Sequence, residues 1–173
     1  MTPRSRNPIE ATIRPSAAGD AVRPGELLRE ALSHWASGVA ILAASDGEEI
    51  DAITISAFSA LSIDPPLILA AIGEQTSILP MLREERRFTI SILAEEQRSI
   101  AGAVAQRLPG AEAAFTSVAD PAVVGALATL DCSLWREYDG GDHRIVVGRV
   151  ERAALGPERQ PLLYYRREYG DPT

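Results

Sequence analysis

The stretch that decides the fold reads IDAITISAFSALSIDPP and occupies residues 50–66. Polar and apolar residues alternate along it and β-branched residues are frequent, a pattern typical of a half-buried β-strand. The Asp-Pro-Pro sequence at 64–66 ends the pattern, because proline cannot donate a hydrogen bond to a sheet. We therefore predict one strand over residues 50–63, with Thr54 and Ser56 on the same face.

Further strands are predicted on both sides of this stretch, at residues 39–45, 67–73, 87–93, 128–139 and 143–155. Helical spacing of apolar residues predicts three short helices, at residues 26–35, 77–85 and 95–106. The strands follow one another without regular crossover helices. This order favours a mainly β (α+β) protein built on an antiparallel barrel over a parallel βαβ sheet.

The composition excludes several classes of function. All 17 basic residues are arginines, and 24 acidic residues give a net charge of −7. Without lysine there is no Schiff-base chemistry, and an acidic domain is a poor ligand for nucleic acid. The single Cys132 fits a reducing compartment, and one cysteine with two histidines does not predict a metal site.

The sequence also predicts the domain organisation and the cellular location of the protein. Residues 1–25 are rich in Pro, Ser, Arg and Ala without apolar periodicity, which predicts a flexible N-terminal arm. Residues 26–173 are long enough for one domain. No apolar run reaches the length of a membrane-spanning helix. We therefore expect a soluble, cytoplasmic protein that does not bind membranes.

Two hydroxyl-rich segments are candidate ligand contacts. Thr54, Ser56 and Ser59 lie on the deciding stretch, where small polar side chains could contact a polar ligand or simply belong to a half-exposed strand. The Gln75-Thr76-Ser77 segment precedes a predicted helix. Hydroxyls and free amides there could bind an anion or cap the helix.

His143 is one of only two histidines and lies in the sequence DGGDHRIVVGRV, at residues 139–150. It could orient a ligand, transfer a proton or hydrogen-bond to a cofactor. Alternatively, it is a surface turn residue held by Asp142. The chain contains no Gly-x-Gly-x-x-Gly sequence, so a nucleotide would not bind in a Rossmann site.

Taken together, five segments in this order resemble the flavin reductase-like family, whose fold is the FMN-binding split barrel. The segments are LREALSHWASGVAIL, TISAFSALSIDPPLIL, QTSILPMLREERRFTISIL, LDCSLWREYDGGDHRIVVGRV and PLLYYRREYG. The resemblance covers residues 27–170. It implies a six-stranded antiparallel Greek-key split β-barrel with two or three flanking helices.

The resemblance also implies a function. Members of this family use NADH or NADPH to reduce FMN or FAD by hydride transfer to flavin N5, and they supply reduced flavin to a separate monooxygenase. It implies a homodimer with the flavin near the subunit interface. It further implies a role for His143 and Tyr169 at the nicotinamide side, with Tyr164 and Tyr165 near the same pocket. The flavin contacts that it implies are Thr54, Ile55, Ser56, Ala57, Ser59, Ser62, Gln75, Thr76 and Ser77.

The chain departs from the family pattern at several positions. Ala52 replaces a usual glycine, and the other departures each remove a polar group: Ala57, Ala60, Ile78, Ser91 and Ala114. They leave two alternatives open. One is a flavin- or haem-binding barrel without reductase turnover, and the other is a flavoenzyme that acts directly on a biosynthetic substrate.

Overall fold

The computed structural model describes residues 23–170. The predicted arm therefore lies outside the described residues, apart from its last three. The helices are α1 (Pro24–Ser33), α2 (Ile78–Glu85) and α3 (Arg98–Ala105), with 3₁₀ turns at Glu95–Gln97 and Ala111–Ala114. The strands are β1 (Ser37–Gly38), β2 (Ala40–Ser45), β3 (Ile50–Ile55), β4 (Phe58–Ser62), β5 (Leu67–Gly73), β6 (Arg87–Ile92), β7 (Ala128–Asp139), β8 (His143–Leu155), β9 (Leu163–Tyr165) and β10 (Glu168–Tyr169).

Seven strands form one antiparallel sheet in the order β3-β2-β6-β7-β8-β5-β4. Its two outermost strands, β3 and β4, are consecutive in the chain and are joined only by Ser56 and Ala57. Three Cα–Cα steps between Ile55 and Phe58 span at most about 11 Å. The two edges of the sheet must therefore meet, and the sheet curls into a barrel. We call this junction the seam.

The prediction of a mainly β antiparallel split barrel is confirmed, but the single strand predicted over residues 50–63 is wrong. The chain leaves the strand conformation at Ser56 and Ala57. β3 pairs with β2, whereas β4 pairs with β5 at the other end of the sheet, with Phe58 opposite Ala70. The sheet thus has seven strand segments instead of six. Thr54 and Ser56 do not share the face of one continuous strand.

The core lies on both sides of β2, which explains its uninterrupted apolar sequence. Ala40, Leu42 and Ala44 face the barrel interior, while Ile41 and Ala43 belong to a second buried cluster outside it. α3 and the segment that follows it contribute to this outer cluster. A three-stranded sheet in the order β1-β9-β10 packs on the same side through Tyr164 and Tyr169, and Leu162, just before β9, joins them.

α2 contributes three fully buried side chains to the interior cluster, those of Ile78, Leu79 and Leu82. Pro80 lies in its first turn, where a missing N–H costs nothing. Because this packing fixes α2 against the barrel, it also fixes the Gln75–Ser77 segment that precedes the helix. No helix among residues 23–170 is long and apolar enough to cross a membrane.

The barrel interior is closely packed at Gly148 of β8. A Cβ atom added there would lie 2.4 Å from Cζ of Phe88 and 3.2 Å from Cβ of Cys132. We predict that Gly148→Ala lowers the free energy of unfolding by about 1–3 kcal/mol, because the Phe88 ring must shift. Urea denaturation measures this change. Gly38→Ala is the control, since no atom lies within 4 Å of its added Cβ; equal loss in both variants would contradict the packing argument.

Candidate functional site

The seam leaves backbone groups available for a ligand. β3 lies at the edge of the sheet, so one of its two edges pairs with β2 and the other pairs with no strand of the described chain. Edge strands present free N–H and C=O groups. Ser56 and Ala57 continue this edge, and both are exposed. Their small side chains allow a flat ligand to approach the backbone closely.

A cleft of about 450 Å³, here called the seam cleft, runs along this edge. It brings together six residues that the sequence nominated: Thr54, Ile55, Ser56, Ala57, Thr76 and His143. Its remaining wall comes from Ile53 of β3, from β5 and α3, and from Arg107. Residues that are far apart in the chain thus line one surface. This surface carries hydroxyl groups, the free backbone edge of β3, an arginine and a histidine.

A larger cleft of about 1100 Å³ adjoins the seam cleft, and we call it the wide cleft. The two share Ser56, Ala57 and Ala71. α1 forms one wall of the wide cleft and Ser59 lies in it. Its charged lining residues are Glu26, Arg29, Glu30 and Arg167. The shared floor means that two flat ligands could lie next to each other across Ser56 and Ala57.

Two tyrosines border the seam from the small sheet. Tyr164 and Tyr169 line a third cleft of about 190 Å³, together with Thr54 and Ser56. Their ring centroids are 5.3 Å apart, a usual spacing for an aromatic pair. Burial raises the pKa of Tyr169 above its ordinary value. Its hydroxyl is protonated at neutral pH, as an ordinary tyrosine is, and can donate a hydrogen bond.

The segment before α2 does not cap the helix. The Thr76 hydroxyl donates to the carbonyl oxygen of Gly73 at 2.8 Å, and Ser77 makes no capping hydrogen bond. Instead, the Ser77 hydroxyl donates to the Asp51 carboxylate and accepts a 2.8 Å hydrogen bond from Nη2 of Arg107. The same nitrogen lies 3.7 Å from Oδ1 of Asp51. The three side chains form one polar cluster beside the seam cleft.

Arg107 is the site residue that sequence reasoning missed. It follows α3 in the left-handed conformation, with φ = 52°, which is uncommon for a residue other than glycine. Its N–H donates to the carbonyl oxygen of Val104 at 3.1 Å and so holds this turn. Without lysine, a phosphate must be bound by arginine, hydroxyls or backbone amides, and 17 arginines gave no means of selecting one.

His143 is the first residue of β8, opposite Gly73 of β5. Its side chain is 48% exposed, and its Nδ1 lies 2.7 Å from Oδ1 of Asp142. This hydrogen bond lowers the pKa of the Asp142 carboxyl, and the nearby charge of Arg29 contributes further. Asp142 thus orients the imidazole, and the other ring nitrogen is left for a ligand.

Four residues that the sequence nominated line none of these clefts: Ser62, Gln75, Ser77 and Tyr165. Ser62 ends β4 next to a register shift in its pairing with β5. Gln75 is exposed on the turn before α2. Two departures from the family pattern have structural explanations. Ile78 is fully buried in the barrel interior, and the buried Ser91 hydroxyl accepts a 2.9 Å hydrogen bond from the N–H of Val123.

Glu137 of β7 connects the His143 hairpin to α2. Its carboxylate accepts hydrogen bonds from Arg83 of α2, at 3.0 Å from Nε, and from Arg144 of β8, at 2.7 Å from Nε. The side chain of Glu137 is 14% exposed. Hydrogen bonds from Arg83, and then from Arg144, lower its pKa. The carboxylate thereby fixes the position of His143 relative to the segment that carries Thr76.

A separate cleft of about 540 Å³ lies toward the other end of β8. Oppositely charged residues line it, and Nε of Arg152 donates to Oδ2 of Asp131 at 2.6 Å. Cys132 also lines it, but burial raises the pKa of this thiol to about 12. The thiol is therefore not a nucleophile at neutral pH.

The chain is similar to several known proteins. The model of the flavin reductase like domain matches residues 32–173. The reductase component of 4-hydroxyphenylacetate 3-monooxygenase from Thermus thermophilus is 44% identical over 83% of this chain and 94% of that protein. An NADH-dependent flavin reductase from a Rhodococcus species is 35% identical over 80% of this chain and 81% of that protein.

A solved structure has the same fold. It is the NADH:FAD oxidoreductase of Streptomyces globisporus C-1027 in complex with NAD and FAD fragments, which superposes with a TM-score of 0.79 at 26% identity. The match covers 88% of this chain and 96% of that chain.

The Glu137 network generates a pH prediction. Glu137→Gln removes the charge that binds Arg83 and Arg144, so we expect a loss of about 1–2 kcal/mol of stability at pH 7. Because the folded-state pKa of Glu137 is lowered, its contribution is present at neutral pH and is lost as pH falls below about 4.3. Denaturation of both proteins from pH 7 to pH 3 measures the difference. A difference that persists unchanged at pH 3 would contradict the electrostatic origin.

Proposed function

The chain belongs to the flavin reductase-like family, and we propose that it reduces FMN or FAD with NADH or NADPH and releases the reduced flavin to a separate flavin-dependent monooxygenase. The observation that carries this proposal is the seam cleft. It joins an open strand edge, an arginine and a histidine on one surface, next to a second cleft with which it shares a floor.

The residues of the seam cleft fit a flavin. The backbone of residues 54–57 can hydrogen-bond to the polar edge of the isoalloxazine ring, and the small Ser56 and Ala57 allow contact with its face. Arg107 and the Thr76–Ser77 segment hold the phosphate, since a guanidinium pairs well with phosphate oxygens. When bound, the flavin supplies the hydride acceptor. The chain holds and orients it.

The wide cleft fits the nicotinamide nucleotide. It is large and opens from the shared floor at Ser56 and Ala57, so a nicotinamide there can lie against the flavin ring. Arg29 and Arg167 offer positive charge to a pyrophosphate. His143, with Tyr169 across the seam, borders the place where the two rings meet.

This division explains why the reaction needs no nucleophile among the described residues that line the two clefts. Hydride transfer between two stacked rings requires close, parallel placement at about 3–3.5 Å. The chain contributes by positioning the rings and excluding water between them. Ser59 belongs to the wall of the wide cleft, whereas Ser62 and Gln75 stay predicted contacts.

The exposed face of α1 supports a homodimer. This amphipathic helix buries none of its residues. Leu28 and Leu32 are 58% and 59% exposed, and the adjacent Trp35 is 75% exposed. An apolar face of this size is suited to a protein contact. Because α1 also forms a wall of the wide cleft, a second copy bound there would help to enclose the nicotinamide.

A cytoplasmic location fits these roles. Reduced nicotinamide nucleotides are cytoplasmic substrates, and the one cysteine of the chain, Cys132, is a free thiol in a buried position.

The proposed reaction is tested by mixing the purified protein with NADH or NADPH and free FMN or FAD. We expect loss of nicotinamide absorbance well above the rate without protein, for at least one of the four combinations. Rates equal to the protein-free rate in all four combinations would overturn the proposal.

His143→Ala tests the nicotinamide side. We expect KM for the nicotinamide nucleotide to rise about tenfold, which corresponds to about 1.4 kcal/mol. The Kd of flavin, measured without nicotinamide, should change less than about twofold, because the proposed role of the imidazole is to contact the nicotinamide ring. His34→Ala is the matched control, since this exposed histidine follows α1 and lines neither the wide cleft nor the seam cleft. Equal losses of flavin and nicotinamide binding would contradict this role.

Leu32→Glu tests the dimer. A charge placed in the apolar face of α1 should convert the dimer to a monomer, because an unpaired carboxylate would be buried at the contact. Light scattering coupled to size exclusion measures the mass of each species. Leu155→Glu is the control, because Leu155 is equally apolar and even more exposed, at 91%, but lies at the end of β8. A dimer that persists in the Leu32 variant would contradict this interface.

A further inference from the structure

Asp51 is bound to the same two side chains that a flavin phosphate would use. It is on β3, opposite Ala44 of β2, and its side chain is only 19% exposed. One carboxylate oxygen accepts the Ser77 hydroxyl, and the other lies 3.7 Å from Nη2 of Arg107. These are the hydroxyl and the guanidinium that the proposed function assigns to the flavin phosphate.

The position of Arg107 strengthens this reading. It lines both the seam cleft and a small cleft of about 200 Å³ that includes Asp51. Its left-handed backbone conformation is of a kind that often accompanies functional positions. The guanidinium thus lies between an internal carboxylate and the cleft that would take the flavin.

We propose that Asp51 acts as an internal anion that competes with the flavin phosphate for Arg107 and Ser77, so that the flavin is bound weakly and leaves after reduction. This inference rests on the proposed function, because it concerns the same cleft. Asp51 is a positioning residue and does not touch the reacting rings.

Competition between Asp51 and the phosphate would help the protein to release reduced flavin. A reductase that supplies a separate oxygenase must release its product, and reduction of the ring leaves the phosphate unchanged. Tight binding of the phosphate would therefore slow the release of reduced flavin. A carboxylate already paired with Arg107 lowers the net positive charge available to the phosphate, and it also repels the phosphate directly. The isoalloxazine contacts along residues 54–57 are unaffected.

Asp51→Asn tests the proposal, since asparagine has the same shape without the charge. The flavin-free protein is titrated with FMN and with riboflavin, which lacks the phosphate, and quenching of flavin fluorescence gives each Kd. We expect the variant to bind FMN about 5- to 20-fold more tightly, which corresponds to about 1–2 kcal/mol. Its Kd for riboflavin should match that of the wild type. The dissociation rate of FMN should fall in proportion.

Arg107→Gln provides a second, independent variant if Asp51→Asn does not fold. It should weaken FMN binding and leave riboflavin binding unchanged. Asp51→Glu, which keeps the charge, should bind FMN as weakly as the wild type.

The outcomes separate the two proposals. Equal tightening for FMN and riboflavin, or no tightening for FMN, would overturn the role of Asp51 while leaving the reductase function intact. An unchanged ratio of FMN to riboflavin affinity in Arg107→Gln would overturn it as well. A wild-type protein that binds neither flavin would instead contradict the proposed function.

Discussion

The two-residue connection at Ser56 and Ala57 is the constraint on which the rest of the structure depends. It joins the first and last strands of a seven-stranded sheet, so the sheet can satisfy it only by curling until its edges meet. Closure creates an interior that Ile78, Leu79 and Leu82 of α2 help to fill. Ser56 and Ala57 belong to neither strand, and one edge of β3 pairs with no strand of the described chain. This free edge lies beside the seam. Fold and binding cleft therefore have one cause.

The chemistry of the site follows from that edge. In the proposed site, backbone groups and one arginine hold the flavin, so few distinctive side chains are required. An acidic chain without lysine can therefore bind a flavin. Three sets of contacts fix the position of the residues around the cleft. The buried face of α2 packs in the barrel interior, and Glu137 binds Arg144 of the His143 hairpin. The backbone N–H of Arg107 donates to Val104 in the turn after α3. We propose that the Asp51 carboxylate then sets how strongly the phosphate is held. Positioning, rather than acid–base reactivity, is the contribution of the protein.

Local patterns predicted the elements well and the seam poorly. β2, β5, β7 and β8 matched their predicted ranges closely, because apolar runs and the Gly140-Gly141 turn are local signals. The break at Ser56 has no such signal: alternation continues through it, and only pairing with opposite ends of the sheet divides β3 from β4. Arg107 was missed for the same reason, since its value lies in its contacts with Asp51 and Ser77. His143 was found because histidine is rare here, and the family resemblance gave it a role.

Flavin binding along the seam is tested most directly by hydrogen exchange followed by mass spectrometry. The protein is compared with and without saturating FMN. We predict slower exchange in peptides that cover residues 50–62, 74–80 and 104–108, where the strand edge, the segment before α2 and Arg107 meet. Protection confined to residues 85–89 and 119–121, which line the separate cleft near Cys132, with none along the seam, would contradict the account.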